Sequence, residues 1–311
     1  MDTSVTLAPT PPEKARVAGE QFSAVRGRLR QALVRDYVAF AAISVGFVTL
    51  FFRPIVTLLQ DWWTMPEAGH GLLLAPAAGW LLWRSGKHPA ARAQVVPGSA
   101  ILTLSVLLRY ASGLAAELFT MRLSMLAALV GLTVYFLGFR QVIRWWLPFT
   151  LGLLAIPLPE LVTQALALPL QFRASEMGAA LLEMRHVPVL LSGNVIRIPG
   201  HELFVTEACS GLRSLTALVS MAILLGAVML RTAAGRVALL LLAIPIAIAV
   251  NGVRVFMTGF LMHFVNPELG TGFMHVTEGW LLFLVSLAAL AAAAAVSSLL
   301  EQRLRRRAAH A

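Results

Sequence analysis

Long apolar runs are the feature that most constrains what this chain can fold into. Hydrophobic residues make up 58% of the sequence and charged residues only 13%, about half the charged share of a soluble domain. A helix needs about 20 mostly apolar residues to cross a bilayer, and eight stretches approach that length. These candidate spans lie at 37–59, 67–83, 97–115, 119–139, 145–159, 212–230, 237–262 and 279–300. The sequence therefore predicts an all-α polytopic membrane protein with about eight transmembrane helices.

Basic residues gather in every second connection between the candidate spans. They follow the second, fourth, sixth and eighth spans: Arg84, Lys87, Arg92, Arg140, Arg144, Arg231, Arg236, Arg303, Arg305, Arg306 and Arg307. Because positively charged loops stay on the cytoplasmic side, we expect both termini in the cytoplasm. We expect residues 1–36 to be a loose basic tail, residues 37–300 the transmembrane domain and residues 301–311 a second basic tail. The formal charge of +10 then reflects membrane topology, and we expect no nucleic-acid partner.

The longest connection, residues 160–211, faces outward in this topology. Residues 161–183 mix apolar and polar residues at helical spacing, which suits a helix lying in the membrane interface. Residues 187–207 contain short β-rich runs separated by Ser192-Gly193-Asn194 and by Pro199-Gly200, and this pattern predicts a hairpin-like segment. Together they predict a small cap on the outer face that leads into Cys209.

Cys209 is the only cysteine of the chain, so it forms no disulfide within it. It precedes the sixth candidate span by about one helical turn, and the N–H groups and dipole at a helix N-terminus stabilise a thiolate. The alternative is an inert buried cysteine. Its polar neighbours Ser210 and Gly211 favour the reactive thiol.

Arg254 lies about 27 Å along the seventh candidate span, near its outer end. An arginine at this depth is costly in contact with lipid, so we expect it to face the bundle. Asn251, one turn earlier on the same face, could orient it. The alternative is an arginine whose side chain reaches the headgroups.

His275 stands on the outer side, four residues before the eighth candidate span, and can act as a general acid or base. His70, His186, His201 and His263 share that side, and topology alone does not choose among them. His263 is the nearest competitor, but nine residues of helix place it about 13.5 Å beyond Arg254. We expect His275 to approach Cys209 from a flexible loop that contains Gly270 and Gly272.

At these residues the chain resembles the exosortase/archaeosortase family of membrane cysteine transpeptidases. The resemblance rests on the segment from Glu207 to Ser214, on Asn251-Gly252-Val253-Arg254, and on His275 followed by Gly279-Trp280. It extends from about residue 61 to residue 280. It implies a catalytic set that carries over to Cys209, Arg254 and His275. The supporting residues that we associate with this set are Asn251, Ser210, Gly211, Arg213 and His70.

The resemblance also implies an activity and partners. Members act on membrane-anchored proteins with a C-terminal sorting signal, in which a short motif such as Pro-Glu-Pro precedes a transmembrane helix and a basic tail. The enzyme would cleave near the motif and pass the protein to an acceptor nucleophile that the sequence does not identify. This predicts a multi-pass protein of the bacterial inner membrane, linked to exopolysaccharide, with its active site on the periplasmic face.

No zinc-protease, serine-hydrolase or nucleotide-binding motif is present in the sequence, and we expect neither a metal nor a cofactor. Two alternatives from other classes remain open. A small-molecule transporter would also place polar residues within a bundle, but along a path through both halves of the membrane. A noncatalytic scaffold for polysaccharide assembly would need neither Cys209 nor His275.

Overall fold

The computed structural model describes residues 11–65, 68–205, 211–266 and 272–310. The helices of this part are α1 (Pro11–Thr64), α2 (Gly71–Ser85), α3 (Val95–Leu114), α4 (Leu118–Leu137), α5 (Phe139–Arg144), α6 (Trp146–Leu154), α7 (Glu160–Glu183), α8 (Leu212–Met229), α9 (Ala233–Phe264) and α10 (Gly272–His310). The strands are β1 (Leu190–Ser192), β2 (Val195–Ile198) and β3 (His201–Phe204). They pair antiparallel in the order β1-β2-β3. The β-rich runs of the sequence thus form a three-stranded sheet.

Within the described residues, five helical segments are long and apolar enough to cross a membrane. They are Tyr37–Thr64, Val95–Leu114, Leu118–Leu137, Ala233–Phe264 and Leu281–Arg307. This confirms a mostly helical, polytopic membrane protein. The other three candidate spans correspond to α2, α6 and α8, which have 15, 9 and 18 residues.

The helix at the predicted span 145–159 is shorter than expected. Helix α6 ends at Leu154, and non-helical backbone at Trp145 separates it from the six-residue helix α5. Pro157 and Pro159 favour the early end, because a proline disfavours helical geometry at the residue before it and has no N–H group to continue the helix.

The prediction of a loose N-terminal tail is also wrong for the described residues. Residues 11–36 are helical and continue into the first candidate span, with one non-helical residue, Phe51, further along. Pro11 and Pro12 occupy the first two helical positions, where the missing N–H groups have no partner to lose. The following residues are rich in Ala, Glu, Arg and Gln, which favour helix. Residues 1–56 and 57–311 form two separate units, and the packing described next lies within the second.

Helices α5 and α6 run antiparallel to α2. Leu74 and Ala78 of α2 form a buried cluster with Leu151 and Ala155, and side chains of α8 pack against it. At one end of this pair the Arg144 guanidinium donates to the carbonyl oxygen of Ser85, at 2.8 Å from Nε and 2.6 Å from Nη2. The two short helices together therefore match the length of α2.

Helices α8, α9 and α10 form a second bundle whose core combines alanines with leucines. Buried alanines of all three helices contact leucines in this core: Leu218, Ala222, Leu239, Ala243, Ala247, Leu290 and Ala294. At the end where the basic residues 231–236 and 303–307 lie, Glu301 accepts hydrogen bonds from the N–H groups of Arg231 and Thr232, at 2.9 and 3.2 Å. The Thr232 hydroxyl also donates to Glu301. Glu301 thus ties α10 to the turn between α8 and α9.

Helices α3 and α4 pack closely because α3 carries a glycine at the contact. A Cβ atom at Gly98 would lie 2.5 Å from the Cα atom of Tyr135. At the turn between the two helices, Glu117 accepts hydrogen bonds from the N–H groups of Phe119 and Thr120, at 2.9 and 2.6 Å. Burial raises the pKa of Glu117, but a hydrogen bond from the Thr120 hydroxyl, the two N–H groups and the nearby Arg122 charge outweigh burial, so its pKa lies below the ordinary value.

Helix α7 packs beside α9 rather than apart from the bundle. A Cβ atom at Gly178 would lie 2.5 Å from Val255 Cγ1, and one at Gly252 would lie 2.8 Å from Met177 Cβ. One face of α7 is buried: Ala167, Gln171, Ala174, Ser175, Gly178, Ala179 and Leu182. This face of α7 therefore packs against protein, and the interfacial position of the helix stays a prediction. The sheet packs on the same pair of helices through Ile196 and Ile198.

Candidate active site

Arg254 lies on α9, 21 residues after the first residue of the helix, or about 32 Å along its axis. Its side chain is half-buried. It lines a cavity of about 10 Å³ together with Leu203, Val205, Val255 and Thr258. A cavity of this size has room for about one water molecule. The Arg254 side chain and Val205, which directly follows β3, therefore line the same cavity.

Asn251 and Gly211 fix the start of α8 against α9. Asn251 is 5% exposed, and a Cβ atom at Gly211 would lie 2.7 Å from its Cγ atom. Gly211 also has φ of +77°, a conformation that L side chains rarely adopt. Both features require glycine at this position. Residue 211 is thereby held one helical turn before Arg254.

Cys209 and Ser210 fall outside the described residues, and so does the Arg213 side chain. Both flanks of the segment that carries Cys209 are held in place. On one side the Val205 N–H donates to the Asn194 carbonyl oxygen at 2.9 Å, and Asn194 Nδ2 donates back to Val205 at 3.1 Å. On the other side Gly211 contacts Asn251. Two residues of chain reach at most about 7 Å, which limits how far the Cα atom of Cys209 can lie from that of Gly211.

His275 belongs to a helix, which corrects the prediction that it enters from a flexible loop. Helix α10 begins at Gly272, and His275 is its fourth residue. Its side chain falls outside the described residues. The contact of Glu301 with Thr232 sets a common level for α9 and α10. His275 is 26 residues before Glu301, or about 39 Å along α10 from that level. Arg254 is 22 residues after Thr232, or about 33 Å along α9 from the same level.

The other histidines have separate surroundings. His70 Nε2 lies 3.1 Å from the Leu154 carbonyl oxygen, so this ring connects the start of α2 to the end of α6. His201 begins β3, and His186 follows α7 with φ of +61°. His263 occupies the last turn of α9, and its ring contacts Phe264 edge-on at 4.7 Å between centroids.

Sequence reasoning missed a buried ion pair. Arg122 Nη2 of α4 lies 2.6 Å from Asp61 Oδ2 near the end of α1, and the two side chains are only 3% and 16% exposed. Nearby, Trp62 Nε1 donates to the Ala155 carbonyl oxygen at 2.7 Å. The available signal was a lone arginine in an otherwise apolar run, because such a charge requires a partner. These contacts hold the end of α1 to α4 and to the end of α6.

A comparison with protein families gives one match. A family model described as transmembrane exosortase (Exosortase_EpsH) matches residues 62–292. The matched region includes the positions of Cys209, Arg254 and His275. Comparisons with curated proteins and with solved structures returned no match.

Proposed function

The chain belongs to the transmembrane exosortase family, and from that premise we propose that it is a cysteine transpeptidase acting on C-terminal sorting signals. The proposed substrate is a membrane-anchored protein in which a short motif of the Pro-Glu-Pro type precedes a transmembrane helix and a basic tail. The products would be the released anchor helix and a protein joined to an acceptor nucleophile. We place this activity in the bacterial inner membrane, in export linked to exopolysaccharide.

The observation that carries the proposal is the anchoring of the segment 206–210. Val205 before it lines the cavity beside Arg254, and Gly211 after it contacts Asn251. The segment that contains the only thiol of the chain therefore begins and ends beside the stretch from Asn251 to Arg254. This supports a shared site for Cys209 and Arg254.

The depth of Arg254 supports the proposed substrate. A substrate helix of about 20 residues is about 30 Å long, and its basic tail would lie at the cytoplasmic face. Arg254 lies about 33 Å along α9 from Thr232, which is next to the basic residues 231–236. A motif at the outer end of the substrate helix would then lie at the level of Arg254.

In the proposed reaction, the Cys209 thiolate attacks the carbonyl carbon of the scissile peptide bond and forms a C–S bond. Arg254 stabilises the oxyanion of the tetrahedral intermediate. The C–N bond then breaks, and His275 gives its proton to the leaving amine, which leaves a thioester. The acceptor nucleophile, deprotonated by His275, attacks the thioester and releases the Cys209 thiolate. Arg254 and His275 could also exchange these roles in part.

The test is substrate processing in cells that produce the Cys209→Ala variant. We expect cleavage to fall below detection while the variant accumulates in the membrane as the parent protein does. Mass spectrometry of the processed C-terminus then distinguishes a free carboxylate from a conjugated product. Unchanged cleavage in Cys209→Ala would reject the nucleophile and leave the noncatalytic scaffold or the transporter.

A further inference from the structure

A polar cleft lies at the opposite end of the molecule from Arg254. It has a volume of about 370 Å³, within the range of small-molecule sites. Arg92, Gln94 and Arg140 line it together with Leu137 and Phe139. The cleft thus combines two guanidinium groups with an apolar wall.

Hydrogen bonds and one close backbone contact hold the walls of this cleft together. Gln94 Oε1 accepts a hydrogen bond from the Phe139 N–H at 3.1 Å, and the Gln94 N–H donates to the Val134 carbonyl oxygen at 3.2 Å. Gly138 has φ of +81°, and a Cβ atom there would overlap the Arg92 carbonyl oxygen. Glycine at 138 therefore lets the segment that carries Arg92 lie directly against the end of α4.

The charge of the cleft is uncompensated by nearby carboxylates. Residues 84–116 and 118–159 contain no Asp or Glu. Two other arginines of this end have contacts within the protein: Arg84 lies 5.0 Å from the Trp80 ring centroid, and Arg144 donates to Ser85. In the described part of the chain, neither Arg92 nor Arg140 forms an ion pair with a carboxylate. The cleft is therefore suited to an anion.

The position of the cleft indicates which anion. It lies where α3 begins, at Val95, and where α4 ends, at Leu137, and both helices are long and apolar enough to span the membrane. In the proposed topology the phosphates of lipid headgroups lie at the ends of these helices. Arginine binds phosphate through two parallel hydrogen bonds, and Phe139 and Leu137 offer a surface for acyl chains.

We propose that this cleft binds the phosphate of an anionic phospholipid of the phosphatidylglycerol type. Arg92 and Arg140 contact the phosphodiester, and the apolar wall contacts the first acyl carbons. Basic pockets between membrane helices commonly bind such headgroups. Bound lipid would link the α2–α3 connection to the α4–α5 junction.

The test measures lipid binding to the full-length protein in detergent by native mass spectrometry. Phosphatidylglycerol is titrated, with phosphatidylcholine, whose phosphodiester is balanced by a choline cation, as the comparison without net charge. The Arg92→Gln/Arg140→Gln variant is expected to bind phosphatidylglycerol about 30-fold more weakly, because each basic side chain near an anionic lipid contributes about fivefold. The matched control, Arg231→Gln/Arg303→Gln, removes the same charge from the same end and is expected to bind as the parent does.

Equal binding by the Arg92/Arg140 variant and the parent would overturn the proposal, and so would an equal loss in the Arg231/Arg303 control. Competition with inorganic phosphate tests whether the cleft recognises the whole lipid or only its phosphate group. If it displaces the lipid at comparable concentration, the cleft recognises phosphate alone; if it does not, the acyl chains contribute. The Arg92→Lys/Arg140→Lys variant retains the charge. Lipid binding weaker than that of the parent but stronger than that of the Arg92→Gln/Arg140→Gln variant would support paired hydrogen bonds to the phosphate.

Discussion

Gly211 shows how one residue without a side chain sets the geometry near Arg254. Its positive φ and its contact with Asn251 exclude any Cβ atom at this position. The start of α8 is therefore held against α9, one turn before Arg254. Cys209 is two positions before Gly211, so the distance between their Cα atoms is at most about 7 Å.

The choice among the histidines can be tested at the same scale. We expect His275→Ala to reduce substrate processing by about 100-fold or more, the usual effect of removing a general acid or base. His263→Ala, His201→Ala and His186→Ala should retain most of the activity. His263 lies about 13.5 Å beyond Arg254 along α9, too far for both to contact one carbonyl group. Processing is measured by immunoblot of a substrate, with the membrane level of each variant as the control.

An equal loss of processing in His263→Ala, with the protein still present in the membrane, would contradict this assignment. Only the cysteine and the arginine would then remain as candidates.

The Asp61–Arg122 pair predicts an asymmetry between single and double variants. Arg122→Met should lower the free energy of unfolding by about 3–5 kcal/mol, because it leaves the Asp61 carboxylate buried without its partner. Asp61→Leu/Arg122→Met removes both charges and should recover most of that loss. Thermal unfolding in detergent measures both. Equal destabilisation in the single and double variants would show that the pair contributes through shape rather than charge.

At the scale of elements, the contact between α7 and α9 depends on small residues. Gly178 lies against Val255 and Gly252 lies against Met177, so the two helices approach closely. This contact and the sheet together cover the part of α9 that continues past Asn251. A helix of 32 residues is about 48 Å long, whereas the hydrocarbon core of a bilayer is about 30 Å thick. The end of α9 therefore needs protein partners.

Gly178→Ala tests this contact. The added methyl group would lie 2.5 Å from Val255 Cγ1, and we expect overpacking to cost about 1–3 kcal/mol. Val255→Ala removes that atom and should restore part of the stability in the double variant. Thermal unfolding of the purified protein measures both effects. An unchanged midpoint in Gly178→Ala would mean that α7 can move away from α9 without loss.

At the scale of the whole molecule, the distribution of charge predicts the orientation of the chain. Basic residues lie at 84–92, 140–144, 231–236 and 303–307, and contacts such as Arg144 with Ser85 and Glu301 with Thr232 join the elements at these positions. The positive-inside rule assigns this end to the cytoplasm. Arg254 and Gly211 lie toward the other ends of their helices, so we propose that the active site faces the periplasm.

Labelling of Cys209 tests this orientation, because the chain has no other thiol. A membrane-impermeant maleimide should label the protein in intact spheroplasts, and Cys209→Ala should give no signal. Denatured protein serves as the control for full labelling. Protection in spheroplasts together with labelling in inside-out vesicles would reverse the proposed topology.

The sequence by itself determined the class of the protein, several of its elements and its family. Apolar length predicted α3, α4 and α9, and the turn residues at 192–194 and 199–200 predicted the separate strands, because hydropathy and turn chemistry are local properties. Only the tertiary structure decided the packing of α7 against α9 and the partner of Arg122. Each of these depends on residues distant in sequence. Both lipid and a neighbouring helix accept an apolar face, so periodicity alone does not distinguish between them.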